Sequence, residues 1–85
     1  AQVSVGGRVI GPQGFGLSRA TVTMMDAQGN TRITYTNSFG YYRFDGVPAG
    51  GASYTMGVRA KRVIYDSRQV FVNNDLTGID FTPAS

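Results

Sequence analysis

Apolar and polar residues alternate with a period of two along most of this chain. In a first run from Val3 to Ile10, Val3, Val5, Gly7 and Val9 fall on one side and Ser4, Gly6, Arg8 and Ile10 on the other. That is the pattern of a half-buried strand whose odd positions face a core. Gly11, Pro12, Gln13, Gly14 and Gly16 end the run with turn chemistry, and Leu17 is expected to tuck back under the sheet. A second strand sets Ala20, Val22 and Met24 against Thr21, Thr23 and Met25. An Asp and Gly turn from Asp26 to Asn30 then leads into a third strand, Thr31 to Thr36. Thr dominates that strand, so either parity could point inward.

After the turn Asn37 to Gly40, Tyr42 and Phe44 are the inward residues of a short fourth strand, followed by a Pro and Gly loop at Val47 to Gly51. Tyr54, Met56, Val58 and Ala60 share one face of a fifth strand. Lys61 to Ser67 fits no element. Val70 and Val72 mark a sixth strand, and Asn73, Asn74 and Asp75 turn the chain into a seventh that carries Ile79 and Phe81. Seven short strands with turn signals every 8 to 12 residues or so predict a seven-stranded antiparallel Greek-key β-sandwich, with a barrel of the same strand count as the alternative. One domain covers residues 1–85. Its expected core is Val5, Val9, Val22, Met24, Tyr42, Phe44, Tyr54, Met56, Val58, Val70, Val72 and Phe81.

Composition agrees with this picture. The chain lacks Glu and has one Lys, Lys61, so no window reads as an amphipathic surface helix. Cys and His are both absent. Thiolate chemistry, zinc-finger and iron–sulfur ligation drop out, and so does the commonest general base, so neither catalysis nor a cofactor is expected. The net charge of +3 comes from Arg residues spread from Arg8 to Arg68. Dispersed charge serves solubility, and a sharper reading is attraction to anionic cell-surface polymers or to acidic patches on a neighbouring copy. Dispersal and the lack of a recognition motif argue against nucleic acid. No run approaches the roughly 18 apolar residues that span a bilayer. A start at Ala1 rather than Met is expected of a secreted chain after signal-peptide cleavage, and an excised module would look the same.

The succession VSVGGRV, GPQGFGL, ATVTM, GYYRF, GVPAG and SYTMGV resembles the carboxypeptidase regulatory-like domain nearly end to end, with most of the match carried by Gly40, Tyr42, Phe44, Pro48, Gly50 and Tyr54. The resemblance implies a transthyretin-like (prealbumin-like) sandwich used as a non-catalytic module in secreted and surface proteins of bacteria. Related modules of pili and adhesins sometimes close a Lys-to-Asn isopeptide bond from a Lys in an early strand. Lys61 lies late in the chain, so that crosslink is not expected here.

Two groups of residues could carry binding. Asp26, Gln28 and Asn30, with Asn73, Asn74 and Asp75, offer oxygens on two turns, but calcium wants six to eight, and Asp and Asn in turns usually bond their own backbone. No metal site is therefore expected. Phe15, Phe39, Tyr41 and Tyr65 sit at turns or on outward faces and are the candidate contacts for a partner or a glycan, against the plainer reading of cross-strand packing. No Asn starts a glycosylation sequon, whereas Thr31, Thr34 and Thr36 could take Thr-linked sugars. These readings lead to an extracellular or cell-surface structural module that self-assembles into a filament or surface fibre. Copies would associate through terminal strands left as open edges, Val3 to Ile10 and Thr77 to Thr82, with cell-surface polysaccharide as a further partner. The alternative is an accessory carbohydrate- or protein-binding module of a larger secreted enzyme or adhesin.

Overall fold

A computed structural model describes residues 2–84, so the processed end expected at Ala1 lies outside the described residues. The strands are β1 Gln2–Arg8, β2 Thr21–Met25, β3 Thr31–Tyr35, β4 Tyr41–Pro48, β5 Ala52–Ala60, β6 Val63–Ile64 and β7 Arg68–Val72. They form two sheets: β1 pairs with β4, and β3, β2, β5 and β6 lie in that order with β7 also on β5. Every strand pair is antiparallel. The expected all-β sandwich of seven strands is what forms, without a helix among the described residues.

Two strand assignments differ from the sequence reading. The seventh strand expected at residues 77–82 is not a regular strand. Gly78 takes a φ of +76°, which breaks the extended run, and the C-terminal segment touches β1 and the residue that follows it through parallel bridges, Val5 with Leu76 and Val9 with Phe81. The strand count is restored by β6, inside the stretch that fitted no element. A two-residue reversal at Lys61 and Arg62 precedes β6, and Arg62 adopts a φ of +64° although it is neither Gly nor Asn.

The first strand is also not an edge. β4 occupies one side of it and residues 76–81 the other, through hydrogen bonds from Gly6 N to Leu76 O, Leu76 N to Ser4 O, Ile79 N to Gly6 O and Phe81 N to Arg8 O, all 2.9–3.1 Å. Of the open terminal edges proposed for self-association, residues 3–10 are therefore covered on both sides, whereas residues 77–82 are paired only on the side that faces β1. This contact depends on Gly7, where a Cβ would overlap the backbone of Ile79.

Between the sheets lie Val5, Val9, Val22, Met24, Tyr42, Phe44, Tyr54, Met56, Val70, Val72 and Phe81, as the alternation predicted, together with Ala20, Val47 and Tyr65. Val58, expected in the core, is only partly buried. Val47 and Pro48 belong to β4 and not to a loop. A register shift against β1 and a φ of +64° at Gly46 move the alternation on by one residue, so Val47 follows Phe44 into the core. β3 resolves its parity through an unbroken register. Its pairing with β2 sets Arg32 and Thr34 beside inward Met24 and Val22, which leaves Ile33 and Tyr35 outside.

Small domains have a total stability of roughly 5–15 kcal/mol, so single core residues matter. Phe44→Ala is expected to lower the unfolding free energy by about 3–5 kcal/mol in urea titration. Ile64→Ala, at an exposed strand position, should stay within about 0.5 kcal/mol.

Candidate functional site

The outer face of the small sheet carries a cleft of about 550 Å³, within the range that holds small ligands. Its shape follows from the first strand. Gly6 points outward and has no side chain to fill the space, so Tyr41 and Arg43 of β4 form one wall, and Thr77 and Asp80 of the C-terminal segment form the other. Arg8 closes one end. Its backbone N–H donates to Asp80 Oδ1 at 2.9 Å, its Nε donates to the Phe39 carbonyl at 2.9 Å, and its guanidinium lies 5.3 Å from the centre of the Tyr41 ring. Arg43 pairs with Asp45 at 2.6 Å, but both side chains are well exposed and the pair contributes little to stability. The site thus sets an exposed phenol, two guanidinium groups and a carboxylate around a glycine floor, with most of its exposed lining apolar.

The candidate contact residues separate into two kinds. Phe15, Phe39 and Tyr41 are exposed, and only Tyr41 lines the cleft. Tyr65 is not a surface contact: it is buried, and its hydroxyl donates to the Ile10 carbonyl at 2.7 Å, because β6 turns the ring under the first strand. Burial raises its pKa. Arg8, Thr77 and Asp80 escaped the sequence reading. The signal for them was the Gly6–Gly7 pair inside an otherwise regular strand, since Gly within a strand marks a close backbone approach.

The turn acids bond their own chain. Asp26 Oδ1 accepts from the N–H groups of Gln28 and Asn30, and Oδ2 from the Asn30 side-chain amide. The Asn30 N–H bond leads in holding this exposed carboxyl below the usual range. Asp75 Oδ1 accepts from Ser4 N at 2.8 Å and so ties the start of the C-terminal segment to β1. Among the described residues no three His, Cys, Asp or Glu side chains converge as metal ligands. Lys61 is exposed in the β5–β6 turn.

A family model for the carboxypeptidase regulatory-like domain matches residues 4–82, and the chain belongs to that family. No curated protein matches it. Among solved structures it resembles the Bacillus anthracis TIE protein, with a TM-score of 0.71 at 13% identity over 99% of this chain and 17% of that one. It also resembles the shaft pilin SpaA of Lactobacillus rhamnosus GG, with a TM-score of 0.68 at 12% identity over 100% of this chain and 47% of that one. A C-terminal fragment of the pilus adhesin SpaC from the same bacterium gives 0.59 at 11% identity, over 98% and 43% of the two chains. This chain thus spans less than half the length of each, and at such identities the likeness is one of fold.

Beneath the cleft, the Tyr42 hydroxyl donates to the Ile79 carbonyl at 2.5 Å, and burial pushes its pKa well above the usual phenol value of 10. A pKa raised on folding means that the neutral phenol stabilises the fold below pH 10 or so, and that this contribution is lost as pH rises through the folded value. Absorbance titration should therefore show Tyr42 resisting ionisation until the domain unfolds. Tyr42→Phe should cost about 1 kcal/mol near neutral pH and weaken the alkaline loss of stability.

Proposed function

We propose that this domain is a non-catalytic structural module of an extracellular filament or surface fibre. The observation that carries the reading is the parallel course of β1 and residues 76–81. Because both segments run the same way, the chain comes in at the Gln2 end of the sandwich and leaves at the opposite end, where Ala84 N bonds to Ile64 O. In a longer chain or a row of copies, such modules line up end to end. Tension applied at the two ends passes straight from one segment to the other, loading their hydrogen bonds together in shear. The domain measures 37 × 21 × 17 Å, a short rod suited to that arrangement. The pilin-like fold supports the same reading, and a surface location goes with it.

Electron microscopy of the native material, alongside size-exclusion chromatography of the recombinant chain, tests this. Fibres built from the protein are expected. A strictly monomeric species with no fibres at high concentration favours a module excised from a larger secreted enzyme or adhesin. The cleft favours that second reading, in which the domain holds a carbohydrate or protein. On a glycan array, binding that disappears with Tyr41→Ala while the fold is retained would support the accessory-module function. No glycan binding by the wild-type domain would remove the carbohydrate form of it.

A further inference from the structure

With β1 covered on both sides, the backbone still open to another chain lies elsewhere. On β4, the Tyr41 carbonyl accepts from Asn37 N at 2.9 Å, and the carbonyls of Asp45 and Gly46 accept from the Arg32 guanidinium. On the opposite flank Arg68 donates to the Asp80 carbonyl at 3.0 Å, while β7, the other edge of the large sheet, pairs only with β5. Of the two edges of that sheet, β3 is the one whose sequence is complementary to itself. Its ladder with β2 lies between Asp26 N to Asn30 O at 2.9 Å and Thr36 N to Ala20 O at 3.0 Å. Bonded and non-bonded pairs alternate in an antiparallel ladder, so Arg32 and Thr34 continue the bonded set. Thr31, Ile33 and Tyr35 turn their N–H and C=O groups away from β2. Among the described residues no other hydrogen bond engages the backbone of these three.

Natural edges are guarded by Lys, Pro, bulges or inward charge. β3 has neither Lys nor Pro, its register with β2 is unbroken, and its one charge, on Arg32, is tied to the β4 carbonyls. Two of its outward side chains are large, apolar and uncovered, Ile33 being 57% and Tyr35 65% exposed. The strand is also complementary to itself. In an antiparallel pair centred on Ile33, Thr31 faces Tyr35, Ile33 faces its own copy and Arg32 faces Thr34. No like charges meet, and apolar or β-branched residues sit opposite one another on the outer face.

We propose that the outer edge of β3 pairs with the same edge of a second copy of this chain, continuing two five-stranded sheets into one across a two-fold axis. The contact is closed and joins modules side by side, so it is distinct from an end-to-end fibre contact and does not depend on one. A heterologous strand from another protein is the rival occupant.

Sedimentation equilibrium of the recombinant chain over a concentration series is expected to show the mass rising from one chain toward two. Amide exchange at Ile33 and Tyr35 should slow in parallel. Ile33→Pro removes an outward N–H without touching the β2 ladder and should hold the chain monomeric, with circular dichroism confirming the fold. Ile33→Lys and Ile33→Glu should each be monomeric alone and dimerise when mixed, because position 33 faces itself. Phe71→Lys, on the far flank, should dimerise like the wild type. A wild-type chain that stays monomeric throughout, or an Ile33→Lys chain that dimerises unaided, overturns the proposal. So does a dimer whose exchange protection lies outside β3, or capture of another protein's strand in place of self-pairing.

Discussion

The pairing of residues 76–81 with β1 is the contact on which the rest of the structure depends. Without it the small sheet would be a two-stranded ribbon of β1 and β4, which is marginal by itself. With it, Phe81 enters the core and packs 6.2 Å from Tyr42, while Leu76 and Ile79 cover its flank. The segment is held by backbone bonds and at two points by acids, Asp75 on Ser4 N and Asp80 on Arg8 N. One local requirement makes this approach feasible. The chain must bring Ile79 against β1 at a position without a Cβ, and Gly7 supplies it. The same segment builds one wall of the cleft and sets the end-to-end direction of the chain.

Two arginines then finish the flanks of the sandwich in similar ways. Arg32 leaves β3, lies 5.9 Å from the Phe44 ring and donates to carbonyls of β4. Arg68 leaves β7, lies 5.9 Å from the Phe81 ring and donates to the Asp80 carbonyl. Each guanidinium roofs a core aromatic and ties the large sheet to the small one, a task suited to its planar fork and weak hydration. Both arginines are exposed, so solvent screening keeps each contact modest, and the apolar core supplies most of what holds the two sheets together. Part of the positive charge is therefore structural and not free for partners.

The working surfaces follow from the same frame. A glycine floor gives the small sheet a cleft, whereas the large sheet presents Met25, Ile33, Tyr35, Ile64 and Phe71 to solvent. These faces point in opposite directions, and the free edge of β3 lies at the rim of the large sheet.

Alternation along the chain was enough to determine the all-β class, most of the strands and most of the core, because a strand with one buried face must repeat every two residues. Val5, Val22, Met24, Phe44, Met56 and Val72 were legible for that reason, and the motifs around GYYRF and GVPAG carried the family. Tertiary structure decided what periodicity does not encode. Whether residues 3–10 form an edge depended on what lies beside β1. The bulge at Gly46 sent Val47 inward, and the reversal at Arg62 brought Tyr65 beneath Ile10. Arg32 and Arg68 read as solvated charge until the fold brought carbonyls of the other sheet next to them. An open edge is a property of neighbours, not of residues, so β3 became one only when the other strands had found their partners.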